Sequence, residues 1–279
     1  MGHPASGHGH TGGGGLPETL LPLLPLLAAA VFYALLARRA RRRNPALGRS
    51  PWRTASFLSG VVLLGVALLP PVAPFAHEDF RGHMLQHVLI GMYAPLALVL
   101  GAPVTLLLRT LPAARGRRLS AVLRSAPVGA LTRPWVALAL STGSLVPLYF
   151  TPLYGVITGD PVAHWLLHAH FLLSGCLFAH VVAGPDPSPS RPDVRVRLVW
   201  LGVAIAAHAV VSQLLYGGFG THVHAPVEQV RGGAEIMYYG GDIAELLLAA
   251  ALVTTWRPVR RRPADREAAA PPVRPAVSS

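Results

Sequence analysis

The sequence predicts an all-α membrane protein, and three observations support that prediction. Apolar residues make up 52% of the 279 residues, whereas charged residues make up 13%, about half the roughly 25% usual in soluble domains. The apolar residues fall into seven runs, each close to the roughly 17–25 residues that cross a bilayer as a helix. The runs are too long for barrel strands and lack strict alternation, so we expect each of them to be helical.

Each of the seven runs is interpreted as one membrane span, and polar or arginine-rich segments separate them. In chain order they are Leu16–Ala37, Trp52–Pro74, His83–Leu108, Pro134–Phe150, Val162–Ala183, Leu198–Gly217 and Glu235–Trp256. Arginines follow the first run and none precede it, which distinguishes it from a cleavable signal peptide. We expect a transmembrane domain over residues 16–256, flanked by disordered tails at residues 1–15 and 257–279.

Arginine placement predicts the orientation of the bundle. All 24 basic residues are arginine, and 22 of them lie in the segments after runs one, three, five and seven. Only Arg81 and Arg231 lie on the other side. Because cytoplasmic loops accumulate positive charge, we predict an outer N-terminus and a cytoplasmic C-terminus in the plasma membrane. The net charge of +12 then results from the arginines of the cytoplasmic segments. We therefore expect the protein to contact the lipid bilayer and not nucleic acid.

Histidines are concentrated at the predicted outer face. His83 and His87 open the third run, and His164 and His168 open the fifth. Residues four apart lie about one helical turn from each other, so each pair projects from one face of its helix. The sixth run carries His208 roughly 13 Å below its outer end, at about 1.5 Å per residue. Two histidine pairs and a deeper histidine thus occupy three different spans.

The seventh run adds a thioether and two carboxylates to this face, at Met237, Asp242 and Glu245. A single histidine near a helix end is typically an interfacial residue, but matched pairs with an intramembrane carboxylate indicate a ligand site, since ionisable groups in hydrocarbon are costly. Imidazole with carboxylate suits copper, zinc, iron or nickel, and thioether sulfur favours Cu(I). The candidate metal ligands are His83, His87, His164, His168, His208, Asp242 and Met237. Asp242 and Glu245 are alternatively a proton relay.

Pro95 lies inside the third run. Proline has no N–H and clashes with the carbonyl four residues earlier, so we expect a kink there. The kink would free a backbone carbonyl near the candidate site.

Three separated motifs surround the histidine pairs. They are His83-Met84-Leu85-Gln86-His87 with Ala94-Pro95 and Gly101-Ala102-Pro103; His164-Trp165-Leu166-Leu167-His168 with Phe171 and Gly175; and Gln229 with Gly232-Gly233 and Met237. Together they resemble the multispanning CtaG family of cytochrome c oxidase assembly factors, over about residues 16–256. The resemblance implies a role in bringing copper to the oxidase, with oxidase subunits as partners. We expect no catalysis of covalent chemistry.

The resemblance also carries residue roles to this chain. It implies His83, His87, His164 and His168 as ligands, with Asp242 at an acidic position after a glycine pair. Two positions depart from the family pattern, because Glu228 and Tyr238 stand where members often show Asp and Trp.

Other functions are compatible with the same residues. An intramembrane zinc hydrolase would use histidines on several spans with Asp242 to hold Zn²⁺ and an activated water. A b-type haem protein would clamp haem iron between histidines of neighbouring helices. A copper transporter would differ from a chaperone only in having a path past His180 to the inner face. The sequence is also compatible with a homo-oligomer.

Overall fold

The computed structural model describes residues 16–43, 50–188 and 191–254, which form helices joined by turns with no β-strand among them. The prediction of an all-α protein is confirmed for this part of the chain. The predicted tails, residues 1–15 and 257–279, lie outside the described residues. In chain order the helices are α1 (Leu16–Arg43), α2 (Pro51–Leu68), α3 (Val72–Glu78), α4 (Phe80–Val88), a π-helix (Leu89–Tyr93), α5 (Ala94–Leu100), α6 (Pro103–Thr110), α7 (Ala113–Leu123), α8 (Ala126–Leu131), α9 (Pro134–Leu140), α10 (Leu145–Phe150), α11 (Leu153–Thr158), α12 (Pro161–Ala183), α13 (Val194–Gly217) and α14 (Val227–Thr254).

Six helical segments in the described residues are long and apolar enough to cross a membrane. They are Pro22–Arg43, Pro51–Leu68, Phe80–Thr110, Pro161–Ala183, Val194–Gly217 and Val227–Thr254. The predicted run Pro134–Phe150 instead consists of the short helices α9 and α10, joined by a turn over residues 141–144. At this turn the Ser141 hydroxyl donates to the Ala137 carbonyl and the Ser144 hydroxyl to the Ser141 carbonyl. Such local bonds compete with the hydrogen bonds of a regular helix. A membrane crossing by Pro134–Phe150, which would be the seventh, stays a prediction.

The third long segment is interrupted at the expected proline. Pro95 has no N–H to donate to the Gly91 carbonyl, and the backbone just before it forms the π-helix. Within this turn the Ala94 N–H donates to the Leu89 carbonyl, five residues earlier. The Gly91 carbonyl packs against Gly175 of α12, where an added β-carbon would overlap it. Only glycine therefore permits this close approach of the third segment and α12.

The long helices pack around one end of the bundle. Helix α14 packs against α13 and α4, and α12 packs against α5 and the π-helix. One apolar core lies near the N-terminal ends of α4 and α12 and includes Phe80, Tyr149 and Met237. A second core, including Phe178 and Leu252, fills the opposite end. The predicted histidine pairs lie on the helices that enclose the first core.

Two groups of histidines in the helix bundle

The first group, here called the helix-end cluster, consists of His77, His164 and His168. His164 and His168 lie one turn apart on α12, with ring centroids 4.5 Å apart. His77, near the end of α3, packs edge-on against His164 with ring centroids 5.1 Å apart. The cluster therefore joins the predicted pair of α12 to a histidine from a separate short helix.

The nitrogen atoms of the helix-end cluster are only partly engaged. Gln86 of α4 donates through Nε2 to the Ala67 carbonyl at 2.9 Å, and its Oε1 lies 3.0 Å from His168 Nε2. Since Oε1 accepts, His168 donates through Nε2 and its Nδ1 carries the lone pair. His168 Nδ1 and His164 Nε2 are buried and have no hydrogen-bond partner. Two buried imidazole nitrogens on one helix face are thus free to bind a ligand.

Ring spacing in this cluster is close to that of histidines sharing a metal ion. With metal–nitrogen bonds of about 2.0–2.1 Å, two imidazoles at about 90–110° around one ion have centroids roughly 4.5–5 Å apart. The separations of 4.5 Å and 5.1 Å fall in or near this range. No set of three or more His, Cys, Asp or Glu side chains in the described part of the chain is positioned to hold a metal ion. For all three rings to bind one ion, at least one side chain would have to rotate. His77 is exposed, so its side chain has room to do so.

His83 lies in an aromatic box at the start of α4. Its Nε2 lies 3.1 Å from the Tyr149 hydroxyl, and its ring packs against Phe80 and Tyr154 with centroids 5.8 Å and 4.9 Å away. Burial raises the pKa of Tyr154 to about 12, so this phenol stays protonated at neutral pH. Aromatic rings on several sides and a hydrogen bond at Nε2 therefore hold His83 in place.

Asp79 fixes the start of the helix that carries His83 and Gln86. Its carboxylate accepts a hydrogen bond from the Arg81 backbone N–H at 2.8 Å and pairs with the Arg81 guanidinium at 2.6 Å. The hydrogen bonds and charge of Arg81 hold the pKa of the Asp79 carboxyl below its usual range. The ionised carboxylate is therefore the form that caps α4.

The second group, here called the interior cavity, contains His87 and His208 together with Met92 and Glu245. These side chains come from α4, the π-helix, α13 and α14 and line one cavity of about 60 Å³. His87 is 5% exposed, His208 2% and Glu245 3%. The two ring nitrogens of each histidine and Oε2 of Glu245 are buried without a hydrogen-bond partner. Five polar atoms are thus buried in one region of the bundle without a partner in the protein.

Apolar groups hold the two histidines of the interior cavity in place. The His87 ring packs edge-on against Phe171 with centroids 4.4 Å apart. The His208 ring fills the space beside Gly241, where a β-carbon would overlap it. Neither ring contacts a carboxylate or carbonyl that would use its nitrogen atoms.

The seven predicted ligands are therefore distributed over several environments. His164 and His168 lie in the helix-end cluster, His83 lies in its aromatic box, and His87 and His208 line the interior cavity. Met237 is fully buried in the apolar core and is not among the residues that line the interior cavity. Asp242 is half-buried and is not among the residues that line the cavity, which Glu245 reaches from one turn further along α14.

Three contributors to these groups were not selected from the sequence. His77 lies in the segment between the second and third apolar runs. It is far from His164 in the chain, so no local sequence pattern predicts their contact. Met92 reaches the cavity through the π-helix, which regular helical spacing does not predict. Gln86 had a visible signal, because it lies between the two histidines of the first motif.

Comparison with known proteins gives one family and several relatives. The family described as cytochrome c oxidase caa3 assembly factor matches residues 31–258. Uncharacterized proteins of Mycobacterium bovis and Mycobacterium tuberculosis are each 30% identical over 261 residues, covering 85% of this chain and 39% of theirs. One from Mycobacterium leprae is 30% identical over 235 residues, covering 77% of this chain and 36% of its own length. The chain thus spans about two fifths of the length of these relatives, and no solved structure matches it.

Proposed function

Because the chain belongs to the family of cytochrome c oxidase caa3 assembly factors, we propose that it assists oxidase assembly by binding copper and passing it to an oxidase subunit. The copper is cargo, and the protein catalyses no covalent chemistry. The binding site is the helix-end cluster, with His164 and His168 as the principal ligands and His77 as a third.

One observation carries this assignment of the site. His164 Nε2 and His168 Nδ1 are buried, lack hydrogen-bond partners and belong to rings spaced as two ligands of one ion are. Leaving such nitrogens unpaired costs about 1–3 kcal/mol each, and a bound metal ion would recover that cost. Gln86 supports the same role, since its carbonyl fixes the proton of His168 on Nε2 and points the lone pair of Nδ1 to the ligand side.

The cluster also has a property that metal transfer requires. Transfer by ligand exchange needs a ligand that can leave the ion while the others hold it. His77 is exposed and belongs to the seven-residue helix α3, whereas His164 and His168 belong to a helix of 23 residues. An exposed outer ligand and two ligands on a long helix suit a site that releases its metal to a partner.

The proposed topology puts this cluster where delivery is needed. Seven spans with an outer N-terminus place the N-terminal ends of α4 and α12 at the outer face of the plasma membrane. The split helix of α9 and α10 makes the fourth crossing. This arrangement is supported by the 22 arginines on the opposite side.

The test combines metal analysis with oxidase assembly. We expect purified His164→Ala plus His168→Ala protein to lose copper from the helix-end cluster, and cells that carry only this variant to make oxidase deficient in copper. The matched control is His222→Ala plus His224→Ala, which removes two exposed histidines of the loop before α14. Normal copper binding by the cluster variant would refute the site, and normal oxidase copper content in these cells would refute the delivery role.

A further inference from the structure

The interior cavity has the chemistry of a second ligand site. Its volume is about 60 Å³, and its wall is apolar apart from a few side chains. Two of the other polar residues on the wall already donate hydrogen bonds to backbone carbonyls, the Ser141 hydroxyl to Ala137 and the Ser174 hydroxyl to Phe171. Those hydroxyl protons are therefore not available to His87 and His208.

Five buried polar atoms without a partner indicate that the cavity holds something. Each unpaired buried polar group costs about 1–3 kcal/mol, and a native fold rarely leaves several together. Both nitrogens of His87 and of His208 are in this state, and the two rings come from different helices, α4 and α13. Each neutral imidazole presents one lone pair and one N–H, so an occupant that accepts lone pairs can be bound by both rings.

The backbone adds a soft donor beside them. In a regular α-helix, Met92 would point about 140° away from His87, because five residues advance the helix by about 500°. The π-helix over Leu89–Tyr93 takes wider turns, and Met92 lines the same cavity as His87. π-helical turns are frequent at functional sites, and thioether sulfur with imidazole selects Cu(I).

We propose that the interior cavity binds a Cu(I) ion through His87, His208 and the thioether of Met92, separately from the helix-end cluster. Glu245 lines the same cavity and supplies a carboxylate to offset the charge of the ion. The choice of copper rests on the proposed function, whereas the existence of a site rests on the cavity and its unpaired nitrogens. The chain then holds copper at two depths, and His83 lies about 6 Å, or one helical turn, from His87 along α4.

The experiment uses the purified full chain in detergent, loaded with Cu(I) under anaerobic conditions. We expect copper X-ray absorption to show a sulfur neighbour at about 2.3 Å in the wild type. Met92→Leu, which preserves volume, removes this signal and roughly halves the copper bound. Met84→Leu is the matched control, since it removes a fully buried thioether of the same long helix and leaves the signal in place.

Two further variants separate this site from the proposed function. His208→Leu removes the same sulfur-linked copper, and Met92→Leu decides the matter if His208→Leu does not fold. His164→Ala plus His168→Ala keeps the sulfur signal, so failure of copper delivery and failure of the interior site give different results. The proposal is overturned if copper-loaded wild type shows no sulfur neighbour, as with a cavity filled by water alone, or if Met92→Leu leaves the spectrum unchanged.

Discussion

The helix-end cluster and the interior cavity use the same side chain in opposite ways. In the cluster, the Nε2–H of His168 already donates a hydrogen bond to Gln86 Oε1, and the third histidine, His77, is exposed. In the cavity, both nitrogens of His87 and His208 are unpaired and almost fully buried. The cluster is organised in advance by hydrogen bonds, whereas the cavity is shaped by packing and leaves its polar atoms to an occupant.

This difference predicts different behaviour toward a metal ion. A ligand at the cluster can exchange with partners at the surface, because His77 is accessible. In the cavity, His87 and His208 are almost fully buried, so a partner at the surface reaches a ligand there less readily. We therefore expect fast copper exchange at the cluster and slow exchange in the cavity.

The largest expected effect comes from a change that disturbs both regions at once. Gly175→Ala places a β-carbon against the Gly91 carbonyl and Pro95, which forces α12 away from the third segment. We expect a loss of stability of about 1–3 kcal/mol and weaker copper binding at both sites. Thermal unfolding in detergent measures it, with Gly202→Ala as control because nothing lies within 4 Å of that position. Equal unfolding temperatures for the two variants would contradict this packing argument.

A smaller change separates the two regions. Gln86→Leu removes the acceptor of His168 Nε2 and the donor to the Ala67 carbonyl. Since such supporting partners typically change metal affinity by about 10–100-fold, we expect that loss at the helix-end cluster alone. Competition with a copper chelator measures the affinity, and the sulfur signal of the interior cavity serves as the internal control. Gln86→Glu keeps an acceptor for His168 and should recover part of the affinity; identical affinities for Leu and Glu would exclude this role.

The smallest effect concerns only the start of α4. Asp79→Ala removes the cap, at a cost of about 1 kcal/mol at neutral pH. The folded state lowers the pKa of Asp79, so this contribution is present above the unfolded pKa of about 3.9 and is lost as pH falls through the folded value. Unfolding midpoints measured from neutral to acidic pH should therefore converge for wild type and variant. Glu78→Ala, at the neighbouring exposed position, provides the control, and a constant difference at all pH values would be the contrary result.

The sequence predicted the architecture better than the grouping of side chains. Long apolar runs predicted the six long helical segments, and helical spacing predicted the pairing of His164 with His168, because both depend on residues close in the chain. The contact between His77 and His164 joins residues 87 positions apart through a short helix, which no local pattern encodes. Asp242 and Glu245 are equivalent by spacing, and only the rotation of α14 decides that Glu245 lines the cavity. The departure from helical continuity at residues 141–144 likewise coincides with hydroxyl bonds that hydropathy does not reveal.

The π-helix at Leu89–Tyr93 has a consequence for the register of the whole third segment. The π-helix lies between α4, which carries His83 and His87, and α5, which contains Pro95. Its wide turn contains more residues than an α-helical turn. Deleting one residue here would restore regular helix but rotate one half by about 100° relative to the other. Gln86 would then turn away from Ala67 and His168 while α5 stayed packed on α12. The length of this turn thus sets the rotation that brings Gln86 to the helix-end cluster while α5 remains packed on α12.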